Sequence, residues 1–327
     1  MKKTISILVV VLTFMLNLPA QNQTLVLGNT GTKKNDAVLV SHDEQQTTIR
    51  FEINELELLK VETGYGNAFI TTSDNAPLIM EQGSPELFYL TSTFIISDVG
   101  GSELQISYGA YTDFANIEIA PSKGILSRSI NPDTIPFVKG EVYQIDAFYP
   151  ETLATLREPF IMRDVRGQSV DVFPIQYNPV TKLLRIYSEI TITVTNTQTK
   201  GTNEFINQKR HQTIDPAFDD IYRNFFVNYG SLSGNYPTGE DGELLIICHP
   251  AFMADMKPYV DWKRTIGRKT TIVPTSAITP LTPANIKTYI SNFYNNPNHN
   301  LAYVLLVGDA PQIPTHRYKF RHTGNPN

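Results

Sequence analysis

The pattern of apolar and polar positions changes its period part-way along the chain. From about residue 24 to residue 200, short stretches alternate. In "LLRIYSEITITVT", Leu184, Ile186, Ile190, Ile192 and Val194 fall on one face, and Arg185, Glu189, Thr191 and Thr193 on the other. A period of two predicts a strand with one buried and one wetted face. "ELQISY" and "ANIEIA" repeat the alternation, while "YNPVTK" and "NPDTIP" supply turn residues between the runs. Together they predict a β-rich domain.

Residues 201–242 are polar and rich in Gly, Ser and Asn, around one short amphipathic piece, "FDDIYRNFFVNY". That composition predicts a domain boundary and a protease-sensitive linker. Beyond it the pattern predicts helices and buried strands in turn. "LLIIC" (Leu244–Cys248) is continuously apolar, as in a strand covered on both faces. "PAFMADMKPYVDWKRTIG" places Phe252, Met256, Tyr259, Val260 and Ile266 near one side of a helix that Gly267 ends. "KTTIV" and "YVLLV" predict two more strands. Between them Thr282 caps a helix with Pro283 at its first position and a stripe of Ile286, Tyr289, Ile290 and Phe293. Strands alternating with helices predict a parallel sheet. Ligands of such sheets gather beyond the carboxyl ends of the strands, where "GDAPQIP" puts Asp309. An ordinary turn aspartate explains Asp309 equally well at this point.

Charge and composition exclude more than they assign. The net charge is −5, with 27 basic and 32 acidic residues interspersed, so there is no nucleic-acid footprint. Met1, Lys2 and Lys3 precede the apolar run "ISILVVVLTFMLNL" and then "PAQ". This predicts a signal peptide at residues 1–20, cleaved after Ala20, and a protein that is secreted or held at the cell surface. The run is too short for a membrane anchor, so no transmembrane segment is expected after cleavage. The single cysteine, Cys248, can form no internal disulfide. Cys248 and His249 are neighbours on a strand and point to opposite faces, which excludes a hydrogen-bonded dyad. His316 and His322 lie in "THRYKFRHTG" with no thiol or carboxylate beside them and are expected to be exposed. No phosphate loop, zinc spacing or GxSxG elbow occurs. In "PSKGILSRSINPD", Arg128 stands between two serines with no nearby partner. Base rates favour a solvated loop charge there.

The stretch "IAPSKGILSRSINPDTIPFVKG…ATLREPFIMRDVRGQSVDVFPIQYNPVTKLLRIYSEI" resembles the propeptide of the gingipains, the arginine- and lysine-specific cysteine peptidases of family C25. "FDDIYRNFFVNY" resembles the end of that propeptide, and "PYVDWKRTIGRKTTIV" with "AYVLLVGDAPQIP" the start of the caspase-like catalytic domain. The resemblance covers nearly all of the chain after the signal peptide and weakens between residues 22 and 80. It implies a β-rich propeptide over 21–230, a linker over 231–242, and a truncated amino-terminal part of an α/β, parallel-sheet peptidase domain over 243–327.

The resemblance also implies a zymogen. The catalytic histidine and cysteine of the family lie downstream of the "GD" strand, so no catalytic residue is expected before Asn327. The propeptide binds its own catalytic domain, and the partners of the released enzyme are protein and peptide substrates. Arg128 falls at the tip of the inhibitory loop that fills the pocket for a substrate's basic residue, which favours arginine over lysine specificity. Asp309 matches one ligand of a calcium site that downstream residues complete. Relatives are released by a cut after a basic residue in the linker, yet no Lys or Arg occurs between Arg223 and Lys257 here. Processing would then fall to another protease, to Arg223, or to Lys209–Arg210. The rival expectation is an exported adhesin or binding protein that kept both domains without catalysis.

Overall fold

A computed structural model describes residues 22–27, 35–73, 76–206, 214–232 and 242–315. The chain forms two units. One holds the described residues up to Ile206 together with Phe225–Ser231; the other holds those up to Asn224 that follow Ile206, and those from Leu232 onward.

The first unit is built from strands. They are β1 (Gln23–Val26), β2 (Asp36–His42), β3 (Gln46–Glu52), β4 (Glu55–Thr63), β5 (Gly66–Thr72), β6 (Leu90–Ile95) and β7 (Gly101–Tyr108). There follow β8 (Tyr111–Phe114), β9 (Ala154–Leu156), β10 (Phe160–Met162), β11 (Val165–Val172), β12 (Ile175–Asn178), β13 (Leu183–Tyr187) and β14 (Glu189–Thr197). Their sheets run β1-β4-β5, β10-β11-β6 with β9 on β11, β12-β13-β8, and β2-β3-β14-β7. Every strand ladder in this unit is antiparallel.

Alternation along the strands produces two cores. Leu56 and Leu58 of β4 meet Ile175 and Tyr177 of β12 and Leu184 and Ile186 of β13 in one. Ile49 and Phe51 of β3 meet Phe94 of β6, Val170 and Val172 of β11 and Ile190, Ile192 and Val194 of β14 in the other. Each such aliphatic side chain contributes about 1.5–3 kcal/mol by leaving water.

Two strand expectations change in the structure. The "LLRIYSEITITVT" run is two strands in two sheets, bent at Ser188, so its even positions serve both cores in succession. Periodicity survives such a corner because the alternation of faces continues through it. "ANIEIA" forms no ladder strand: it meets Phe69 of β5 in a single parallel bridge, and its other backbone bonds go singly to Lys182, Glu86 and the Tyr143 and Tyr177 hydroxyls. Ile117 and Ile119 are nonetheless fully buried.

In the second unit β15 (Glu243–Cys248) lies between β16 (Thr270–Pro274) and β17 (Leu301–Val307), all parallel. Its helices are α1 (Pro216–Phe225, its last residue counted with the first unit), α3 (Met253–Thr265) and α4 (Pro283–Asn295). A short α2 (Tyr229–Leu232) follows α1 in the chain. Every residue of β15 is buried: Leu244, Ile246 and Cys248 pack under α3, and Leu245 and Ile247 under α4. Thr282 accepts the Asn285 amide at 3.2 Å, with Pro283 at the first position of α4. The stripe of α4 packs as expected, whereas Ile266 lies past the end of α3 and is exposed.

Candidate functional site

Between the bridge at Pro121 and β9 the chain makes a long irregular loop with two short 3-10 turns, at Pro132–Thr134 and Glu141–Gln144. Its base is stiff. Gly83 and Gly140 approach so closely that a Cβ on either would lie 3.1 Å from the other's backbone, and the Gly140 amide donates to the Gly83 carbonyl at 2.9 Å. That contact is tight for any side chain, and Gly83 also holds a φ of 85°, a conformation that favours glycine. The Gly83 amide donates to the Ser122 carbonyl, and the Tyr143 hydroxyl to the Ile119 carbonyl at 2.8 Å. Glu118 pairs with Lys139 and Lys182. Burial pushes its carboxyl up, but bonds from both ammonium groups outweigh that and hold it below the ordinary value.

The tip contrasts with this base. Lys123 donates to the Pro132 carbonyl at 2.8 Å and lies over the Phe137 ring, closing the loop on itself. Arg128 stands in the turn beyond, exposed, with the Ser127 and Ser129 hydroxyls 3.1 Å apart on either side. It makes no hydrogen bond or ion pair with any described residue. Around it the loop displays aliphatic side chains: Ile125 is 84% exposed, Val138 60% and Ile145 54%. A cation and several aliphatic groups held on a braced loop form a surface suited to a concave partner.

The carboxyl end of the parallel sheet is the second candidate. Asp309 follows β17 and is exposed. One of its carboxylate oxygens accepts the Ala310 amide at 2.7 Å, and its carbonyl accepts the amides of Gln312 and Ile313. Among the described residues no three His, Cys, Asp or Glu side chains converge to hold a metal. Calcium takes six to eight oxygen ligands, so the residues present here do not by themselves make a site. Cys248 is fully buried with Val260, and burial pushes its thiol up from the ordinary value. His249 points elsewhere: its Nδ1 accepts the Ala251 amide at 3.3 Å and starts a 3-10 turn.

The segment from Ile214 to Ser231 is the third; its sequence stands out by its amphipathic character, by its resemblance to the end of the propeptide and by Arg223 as a candidate processing site. Arg223 lies in α1 and pairs with Asp219 one turn earlier at 2.7 Å. A peptidase binds its substrate extended, so a cut after Arg223 requires the end of α1 to unwind. Before α1, Asp215 is buried and accepts hydrogen bonds from the Gly242 and Ala217 amides, the Tyr303 hydroxyl and Arg268. Burial pushes this carboxyl up, and those four donors more than compensate, holding it below the ordinary value. The signal for Asp215 was present in "IDPAF", an aspartate and a proline opening a helix.

After α1, Asn228 is fully buried in the first unit, accepting the Ile95 amide and donating to the Ile95 carbonyl, both at 2.8 Å. Its remaining amide hydrogen faces His42 Nδ1 at 3.2 Å, and the same nitrogen lies 2.8 Å from the Thr47 hydroxyl. Burial lowers the His42 pKa, against a smaller opposite effect of Asp43. Phe226 and Tyr229 are buried beside Asn228. Ala20, Arg210, His316 and His322 lie outside the described residues.

Among the described residues no helix is long and apolar enough to cross a membrane. A family model described as Propeptide_C25 matches residues 28–228, and one described as Peptidase family C25 matches residues 237–326. The chain is 36% identical over 278 residues to Gingipain R2 of Porphyromonas gingivalis, a match covering 84% of this chain and 38% of that protein. Lys-gingipain of the same organism is 26% identical over 287 residues, covering 82% of this chain and 16% of that one. The solved "Complex of Porphyromonas gingivalis RgpB pro- and mature domains" superposes with a TM-score of 0.55 at 37% identity, over 60% of this chain and 100% of that one. The chain thus spans well under half the length of the curated relatives it matches. Its strand-rich first unit and the parallel sheet after it belong to the C25 family, as a C25 propeptide continuing into part of a family C25 peptidase domain.

Proposed function

We propose that this chain is the propeptide and first part of the catalytic domain of an exported cysteine endopeptidase zymogen that cleaves after arginine. The loop from Ser122 to Phe148 closes the active-site cleft, with Arg128 in the pocket that receives the substrate's arginine. The observation that carries this reading is Arg128 itself: exposed, unpartnered among the described residues, and flanked by exposed aliphatic side chains on a braced loop. A guanidinium binds a carboxylate with two parallel hydrogen bonds, which gives such a pocket both charge and direction to read. The higher identity to Gingipain R2 than to Lys-gingipain supports arginine over lysine. The signal segment ending at Ala20 exports the protein, and Asp309 contributes one calcium ligand to a site completed by other parts of the whole protein. The catalytic thiolate and histidine lie elsewhere in that protein, since Cys248 is buried and protonated in the core.

The test is an inhibition titration of an arginine-specific family member with purified propeptide. Arg128→Ala should weaken inhibition about 30-fold to several-thousand-fold, the expected loss of a buried charge-paired anchor. Arg128→Lys should lose less, because the charge survives while the two-pronged geometry does not. Circular dichroism establishes that all three proteins are folded. Equal inhibition constants would return Arg128 to a solvated loop charge.

A further inference from the structure

The tip of the Arg128 loop is a ring of its own. Lys123 reaches across its neck and donates to the Pro132 carbonyl at 2.8 Å, with its ammonium 4.1 Å from the centre of the Phe137 ring. Lys123 forms no ion pair with any described residue, so its charge is committed to a carbonyl and an aromatic face. Each limb of the ring is fixed separately where Lys123 joins it. On one limb the Gly124 amide donates to the Ser122 hydroxyl at 3.2 Å. Gly124 also holds a φ of 78°, and a Cβ there would lie 3.0 Å from that of Gln82. On the other limb Asn131 caps the 3-10 turn Pro132–Thr134: its side chain accepts the Asp133 amide at 3.1 Å and its carbonyl the Thr134 hydroxyl at 2.7 Å. The Pro132 carbonyl takes a second bond, from the Ile135 amide at 3.2 Å.

Within the ring the chain reverses once. The Ile130 amide donates to the Ser127 carbonyl at 2.9 Å, which places Arg128 and Ser129 at the two middle positions of a β-turn. Arg128 therefore stands at the apex, opposite the neck that Lys123 closes. With no hydrogen bond or ion pair of its own among the described residues, it takes its direction from this backbone alone. A single-bonded turn between exposed residues opens easily by itself. Closing the neck shortens the segment that must stay ordered from residues 122–148 to residues 123–132, and a shorter loop costs less to hold together. A group held beforehand in its bound direction loses less freedom on docking.

We propose that Lys123 is a positioning residue for Arg128. Its bond to the Pro132 carbonyl, rather than any contact with the peptidase, holds the turn at residues 127–130 and so fixes the direction in which the guanidinium is offered. This rests on the reading of Arg128 as the group that enters the arginine pocket, and adds the residue inside the loop on which the strength of inhibition depends. Direct pairing of the Lys123 ammonium with an acidic peptidase surface is a different role, because Lys123 would then contribute whether or not Arg128 is present.

The experiment titrates an arginine-specific family member with residues 21–327 of this chain, substituted at one or both positions. Lys123→Met keeps the length of the stem and removes the ammonium. It should weaken inhibition roughly 10-fold, the usual loss of a hydrogen bond from a charged donor. Lys123→Arg keeps a cation that reaches the carbonyl and the ring, and should recover most of that loss. In an Arg128→Ala background, Lys123→Met should change inhibition less than about twofold, because a residue that acts through Arg128 has nothing left to position. Amide exchange of Ile130, read by NMR in the unbound chain, should quicken in Lys123→Met and recover in Lys123→Arg, while Gln46–Glu52 and Glu189–Thr197 stay protected. Where Arg128→Ala inhibits too weakly for the double substitution to be compared, the Ile130 exchange decides alone. Parent-like inhibition by Lys123→Met, an equal loss in both backgrounds, or unchanged Ile130 exchange would overturn the proposal. Parent-like inhibition by Arg128→Ala would sink the pocket reading and this inference with it; a weakened Arg128→Ala beside a parent-like Lys123→Met would remove Lys123 only.

Discussion

The two units place their uncovered apolar surface differently. In the β-rich unit the strands close on two cores, and the two most exposed aliphatic side chains, Ile125 and Val138, sit on the loop around Arg128, outside any sheet. In the α/β unit, besides Ile221 on α1 and Ile266 past the end of α3, a sheet strand is uncovered: Val304 is 41% and Leu306 44% exposed on β17, whose outer edge pairs with no described strand. Their register partners Leu245 and Ile247 are fully buried under α4 together with Leu301 at the start of β17, so this face of the sheet is left open at Val304 and Leu306. A loop can offer apolar groups without weakening the fold beneath it; a sheet strand left open exposes both backbone and side chains to water and to other strands. The first unit is a completed fold that presents a surface. The second leaves a strand edge and part of one sheet face open among the described residues.

That contrast predicts its largest effect when the units are separated. Residues 22–232 should melt cooperatively alone, whereas residues 242–327 should show no cooperative transition, because too little of their sheet is covered. Thermal melts followed by circular dichroism decide it, and a sharp transition from the second piece would erase the distinction. Stopping the first piece at Ile206 should lower its melting temperature, since Phe226, Asn228 and Tyr229 would be missing from its interior.

A smaller effect asks whether Phe225–Ser231 completes the first unit. Gly167 of β11 leaves room for the returning segment: a Cβ there would lie 2.6 Å from the Phe226 ring and 2.8 Å from the Phe160 ring. Gly167→Ala should destabilise the β-rich unit by about 1–3 kcal/mol, the usual penalty of overpacking. Denaturant titration of residues 22–232 measures it. An unchanged midpoint would mean that the segment can shift without loss.

The smallest effect is a pH dependence at the same place. The folded unit lowers the His42 pKa below its unfolded value of about 6.5. Its contribution is therefore fully present above that pH and is lost as pH falls through the lower folded value. Protonation also places a donor opposite the Asn228 amide. Asp43 is the charged neighbour that partly offsets the shift. Between pH 7 and pH 5, exchange of Phe225–Ser231 should quicken in the parent more than in His42→Gln. Parallel profiles would remove His42 from the account.

Much of this was legible from residue order. Thr282 and Pro283 start α4 where local rules place them, because a cap and a proline act within one turn. The apolar run of β15 is buried on both faces, as continuous hydrophobicity requires. Alternation found the buried positions Ile117 and Ile119 but assigned them a strand that never gains a partner ladder, since pairing depends on what lies alongside. The amphipathic "FDDIYRNFFVNY" was visible, but not that Asn224 and Phe225 divide it between two units.

The sequence by itself determined the change from alternating strands to a parallel αβ pattern, the capped helices, the buried role of Cys248, and a lone arginine in a loop. These follow from forces that act over a few residues: side-chain period, backbone stereochemistry and the ordinary solvation of charge. Tertiary structure alone decided that the run across Ser188 serves two cores, that Gly83 and Gly140 brace the Arg128 loop, and that Asp215 meets Gly242, Arg268 and Tyr303. Those contacts join residues far apart in the chain, and a buried carboxylate or a glycine–glycine approach is stable only once the rest of the fold has brought its partners together.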